Sequence, residues 1–163
     1  MAAKTSQLQI RVSAAEKSAI RAAARRADMD ISAWVLERVL PGAQRRFNEL
    51  TTALAGEPTH RRLVLAALND LLAGLDAGQF ATALADAPSA LDARTLNYVA
   101  AMIETAAHRL RIAPPAWTRD VRPLAAPLFG STLPGLRLHL LTASPPAFKR
   151  RNIFIDSTVG DRV

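Results

Sequence analysis

The sequence predicts a mainly α chain that opens on one short strand and closes on a proline-rich, irregular lobe. Three observations carry that prediction. Residues 7–12 alternate polar and apolar side chains, which is the period of a strand. Between positions 13 and 112 the apolar residues recur instead at helical spacing. Seven of the ten prolines then fall between positions 114 and 146, where regular structure must be short. The boundaries that follow are 1–43 for a head, 44–113 for a helical region and 114–163 for a C-terminal partner-binding region.

In the strand, Leu8, Ile10 and Val12 share one face, while Gln7, Gln9 and Arg11 project from the other. The polar face suits base recognition. Glutamine pairs bidentately with adenine and arginine with guanine in the DNA major groove, which admits a two-stranded ribbon. A single strand is no ribbon, so a second copy of the chain has to supply the antiparallel partner and close the apolar faces over the helices below. A lone module of this size would also be marginal without such a partner.

The first helix opens with a capping box, Ser13 as N-cap and Glu16 three residues on, and buries a narrow stripe of Ile20, Ala23, Ala24 and Ala27. Lys17, Arg21 and Arg25, with Arg26 beside them, make its other side basic and free to face solvent or phosphate. Asp28-Met29-Asp30 interrupts the periodicity, and Asp30 caps a second helix through Ala33, Trp34, Val35, Leu36 and Val39 that stops at Pro41-Gly42. Backbone N–H groups at the start of that helix, around Ile31 and Ser32, are expected to be free for a DNA phosphate.

The segments QLQIRVS, AAEKSAIRAAARRADM and DISAWVLERVL together resemble the ribbon-helix-helix DNA-binding proteins, most of all their antitoxin branch, where S-x-x-E-K followed by S-x-W-V is common. The likeness covers about the first quarter of the chain. By position it implies that Gln7, Gln9 and Arg11 read the bases of double-stranded operator DNA. It also implies that Asp30, Ile31 and Ser32 sit at the phosphate anchor, with Lys4 and Arg21 adding backbone contacts. The family often has glycine near position 29 and an uncharged serine or threonine at the cap; Asp30 instead sets a carboxylate where a phosphate should dock.

Charge is divided as well as positive. The whole chain of 163 residues carries +7, split into 9 Lys+Arg against 5 Asp+Glu over residues 1–50, 3 against 6 over 51–107, and 9 against 3 over 108–163. A basic head and a basic tail around an acidic middle favour polyanionic or acidic partners at the two ends. No cysteine is present, which excludes disulfide scaffolds and thiolate metal sites. The opening MAAKTSQLQ lacks the apolar core of a signal peptide, and no apolar run reaches the length of a membrane span, so a cytoplasmic protein with no membrane contact is expected.

In the middle, positions 44–54 suit a short helix broken by Gly56 and Pro58. A longer one follows over 59–75 on Val64, Leu68, Leu71, Leu72 and Leu75, with Gly78 just past its end, and positions 79–85 suit another short one. Ser89 and Asp92 read as a capping box ahead of a helix striped with Leu96, Val99, Ile103, Ala106 and Leu110. In the tail, Ser144-Pro145 reads as an N-cap with proline at the first helical position, starting a short helix that runs through Phe148 to Arg151.

The tail holds too many large apolar groups for a linker, so it either folds back on the helices or wraps a partner. The stretch SPPAFKRRNIFID, with PPAWTRD before it, is similar to the C-terminal segments of antitoxins encoded beside nucleotidyltransferase-like toxins. That likeness implies a cognate toxin as partner, with Trp117, Phe148, Arg150, Arg151 and Phe154 as the contacts. Arginine and aromatic residues are the side chains that most often anchor interfaces.

Signals for catalysis are thin. His60, His108 and His139 stand singly, without the spacing that sets two imidazoles on one helical face. Gly130-Ser131 is similar to the Gly-Ser pair of nucleotidyltransferases, but no D-x-D follows it. Asp120, Asp156 and Asp161 are scattered. The sequence thus points to a homodimeric antitoxin and autorepressor with no enzymatic activity, metal or cofactor. A stand-alone ribbon-helix-helix regulator whose C-terminal domain senses a ligand or oligomerises is the alternative.

Overall fold

Side chains that satisfy free N–H groups fix four of the described helix starts, with Ser13, Asp30, Asp76 and Asp92 as the capping residues. A computed structural model describes residues 9–39, 42–56 and 60–156. In helix α1, Ala14–Arg26, the Ser13 hydroxyl accepts from the Glu16 N–H at 3.3 Å and the Glu16 carboxylate accepts from the Ser13 N–H at 2.8 Å. The Ser13 N–H, and the Ser13 hydroxyl donating to the same carboxylate oxygen at 2.8 Å, hold the Glu16 carboxyl below its ordinary range. The helix then ends without glycine: Asp28 takes a left-handed conformation, φ 52°, while the Met29 N–H reaches the Ala24 carbonyl at 3.0 Å and the Asp28 N–H the Arg25 carbonyl at 3.2 Å. Aspartate tolerates that conformation better than most residues. Helix α2, Ile31–Val39, follows with Asp30 as its cap, as the sequence predicts. The head helices pack chiefly on one another, and Ala24 is the buried member of the α1 stripe.

Helices α3 (Gly42–Ala55), α4 (Arg61–Gly74), α5 (Ala77–Ala83) and α6 (Ala93–Leu110) build the main core. Phe47, Leu50 and Leu54 of α3 meet Leu68 and Leu72 of α4, Phe80 of α5, and Val99, Ile103 and Ala106 of α6. Each large side chain fully enclosed there contributes roughly 1.5–3 kcal/mol by leaving water. Two starts differ from the sequence reading. Asp76 and Gln79 form a reciprocal capping box, 2.8 and 3.2 Å, so α5 begins at Ala77 and Gly78 lies inside it. For α6 the cap is Asp92 rather than Ser89, because its two carboxylate oxygens take both the Thr95 N–H (2.9 Å) and the Thr95 hydroxyl (2.7 Å). These bonds lower the Asp92 carboxyl from its usual range.

The proline-rich tail folds back on α6. Helix α7 (Trp117–Asp120), strand β1 (Leu128–Phe129), a 3-10 turn (Pro134–Leu136), helix α8 (Arg137–Ala143), helix α9 (Pro146–Lys149) and strand β2 (Ile153–Phe154) run in that order. The two strands pair in parallel, Leu128 opposite Ile153 and Phe129 opposite Phe154. Gly130 follows β1 where a side chain would press on Ile155, its Cβ only 3.2 Å from Cγ2. Ala101 of α6 is small and fully buried, leaving room for Phe148, Ala147, Ile153 and Ile155 to form a second core against it. The last short helix starts one residue later than the sequence suggests, with Pro145 as cap and Pro146 at the first position, and it ends at Lys149. Ser144 is not its cap because that hydroxyl is taken elsewhere: Oγ lies 2.6 Å from the Leu140 carbonyl and 2.7 Å from that of Ile155, and accepts from the Ile155 N–H at 2.8 Å.

Candidate DNA-binding and partner-binding surfaces

At the head, residues 9–13 form no strand within the single chain, and Lys4 and Gln7 lie outside the described residues. Gln9 and Arg11 are exposed, ahead of a helix whose Lys17, Arg21, Arg25 and Arg26 are exposed as well. Beside these polar groups the head leaves much of its apolar surface uncovered. Ile10 is 61% exposed and Val39 67%, and Val12, Ile31 and Leu36 are also open to solvent. On the outer side of α2 the Arg38 guanidinium lies 5.5 Å from the centre of the Trp34 ring.

The phosphate-anchor expectation needs correction at Ser32. Its backbone N–H is occupied, donated to Asp30 Oδ1 at 2.8 Å, and the same oxygen accepts from the Ala33 N–H at 3.0 Å. A carboxylate that caps so well competes with an incoming anion for the same donors and repels it besides. Of the three residues placed at the anchor, Ile31 keeps a backbone N–H for which no acceptor appears among the described residues, and Ser32 keeps an exposed hydroxyl.

The five tail residues singled out as partner contacts have different surroundings. Phe148 is buried, its ring edge-on to Tyr98 at 5.2 Å. Trp117 is half-buried against the main core and donates its indole N–H to the Leu84 carbonyl at 2.9 Å. Arg151, 5% exposed, is the hub of an internal network. Its Nη2 donates to Glu104 Oε1 and to the Thr118 carbonyl, both at 2.6 Å, and its Nη1 to Asn97 Oδ1 at 3.2 Å and more weakly to the Val121 carbonyl at 3.5 Å. Phe154 is half-buried and stacks on Phe129 at 5.2 Å. Arg150 alone among them is mainly in solvent, 3.5 Å from Glu104 Oε2.

Trp117, Phe148 and Arg151 therefore serve the chain's own packing, a correction to their reading as surface contacts. The exposed apolar groups of the tail lie elsewhere: Leu133, Leu136, Leu138 and Leu141, of which Leu138 and Leu141 sit three apart on α8 with Leu140 turned inward. In the sequence the signal for that face is the run of leucines at 133, 136, 138, 140 and 141, close to Pro134.

Among the described residues no group of three or more histidines and carboxylates could hold a metal ion, and no helix is long and apolar enough to cross a membrane. No protein-family model, curated protein or solved structure matches the chain.

Proposed function

We propose that the chain is the antitoxin of a toxin–antitoxin pair: a homodimer that binds double-stranded operator DNA through paired N-terminal strands and neutralises a cognate toxin of nucleotidyltransferase type through its C-terminal lobe. The observation that carries this reading is the uncovered apolar surface of the head. A two-helix unit that encloses little more than Ala24 while leaving Ile10, Val12, Ile31, Leu36 and Val39 in water needs a cover, and a second copy of the same unit offers a matching one. Closing the two heads would set Arg11 and Gln9 of both chains side by side, with the α1 arginines flanking them for phosphates.

The reading is tested by gel retardation of the chain's own promoter DNA with a salt titration. Arg11→Ala is expected to weaken the native site by about 1–3 kcal/mol and to relax base preference. Arg21→Ala is expected to cost all sequences equally and to flatten the salt dependence by about one phosphate contact. An unretarded promoter fragment, or an Arg11→Ala protein with native affinity and preference, would refute the groove assignment.

For the toxin, the leucines on and before α8 are the supporting feature, set in a tail whose 7 basic residues against 3 acidic ones over 114–163 suit an acidic protein surface. Leu138 is 74% exposed, so Leu138→Asp with Leu141→Asp should leave the fold intact. The double variant is expected to lose co-purification with the toxin encoded beside it and to keep DNA binding. Undiminished co-purification would move the contact off this face.

A further inference from the structure

A cavity of about 490 Å3 opens where the first turns of α4 and α6 face β1, the residues after it and α8. That volume lies within the range of small-molecule sites. Its apolar side is made by Leu65, Tyr98, Phe129 and Leu140. Both rings are held by neighbours, Tyr98 by the edge of Phe148, and Phe129 by the stacked ring of Phe154 and the Arg137 guanidinium 5.3 Å from its centre, so the walls are formed without a ligand.

The polar side is cationic and incompletely paired. Arg61 approaches Asp92 only to 3.8 Å, and its buried Nε meets no acceptor among the described residues. Arg94 lines the cavity with no ion pair or hydrogen bond from its guanidinium among the described residues, and none appears for the Tyr98 hydroxyl either. The one carboxylate in the lining, Asp156, is 2.9 Å from His139 Nε2. A neutral ligand would leave Arg94 without a counter-charge and Arg61 with only its 3.8 Å contact to Asp92, and a cation would be repelled by both.

We propose that this cavity binds a small planar aromatic anion, with its ring against Tyr98 and Phe129 and its carboxylate or phosphate held by Arg61 and Arg94. The volume accommodates a molecule up to the size of a nucleoside monophosphate and excludes a folded partner. The proposal is independent of the DNA-binding reading, since no head residue lines the cavity.

Isothermal titration of the full chain with adenosine 5′-monophosphate and with 2-naphthoate separates a phosphate source from a carboxylate one. Saturable binding of at least one is expected, with uncharged adenosine and 2-naphthalenemethanol binding much more weakly. Arg94 is exposed, so Arg94→Glu should fold normally and lower the affinity about tenfold or more, the loss of one charge-assisted hydrogen bond. Arg94→Lys should recover part of that loss. The proposal is overturned if neither anion binds, if the uncharged analogues bind as well as the anions, or if Arg94→Glu binds like the parent chain.

Discussion

Arg151→Ala is expected to cost about 3–5 kcal/mol of stability, the penalty for removing one partner from a buried ion pair. The alanine would leave the Glu104 carboxylate, itself with a side chain only 10% exposed, without its 2.6 Å partner. It would also strip the Thr118 carbonyl and Asn97 Oδ1 of their donor. Against a typical total of about 5–15 kcal/mol, such a loss approaches unfolding. Thermal denaturation followed by far-ultraviolet circular dichroism should show a midpoint lower by about 10 °C or more. Arg151→Lys should recover little, because one ammonium cannot reach acceptors that the guanidinium meets through two separate nitrogens. Replacing the pair together, Glu104→Gln with Arg151→Met, should be far milder than Arg151→Ala, since no charge is then left buried and alone. A midpoint within 2 °C of the parent for Arg151→Ala would mean that the network adds nothing to the fold.

The same network makes a truncation at residue 113 a poor probe of partner binding. It would uncover Ala101 and the whole α6 face on which Phe148, Ile153 and Ile155 pack. A lost interaction would then report exposed core as readily as a missing contact, whereas the exposed Leu138 and Leu141 can be replaced without opening that core.

What could be foreseen in this chain follows the range of the interaction concerned. Caps and stripes work within about four residues, and Ser13 with Glu16, Asp30 ahead of α2, and the α6 stripe through Val99, Ile103 and Ala106 are all found where the sequence sets them. Ser89 loses the cap because Asp92 and Thr95 repeat the same spacing three residues later, and two carboxylate oxygens satisfy more donors than one hydroxyl. The tail shows the opposite limit. Lys149, Arg150 and Arg151 read as one charged cluster, yet what separates Arg151 from its neighbours is Glu104, 47 residues away on α6. No local pattern encodes that distance. The cavity is equally hidden, because Arg61, Arg94 and Phe129 are joined only by the fold. At the head the limit is of another kind: in the proposed dimer the ladder partner of the strand lies in a second chain, and residues 9–13 form no strand within one.

That last point supplies the other large expected effect. In the proposed dimer, Ile10→Asp should separate the two chains and abolish operator binding, while leaving the circular-dichroism spectrum and thermal midpoint of α3–α6 almost unchanged. In one chain Ile10 is 61% exposed, and substitutions at so open a position ordinarily change stability by no more than about 0.5 kcal/mol. In a paired ribbon the same side chain sits against its copy and the helices of both chains, where an unpaired carboxylate costs several kcal/mol, and symmetry doubles the penalty. A large effect on association with little effect on the fold would therefore arise only from contact between chains. Light scattering coupled to size exclusion should give the parent twice the mass of one chain and Ile10→Asp the mass of one. Arg11→Ala, on the polar face of the same strand, should stay dimeric and lose affinity only. If the parent chain is monomeric at about 10 μM, or if Ile10→Asp dimerises and binds the promoter as before, the paired strands do not exist and the head must meet its partners through the helices.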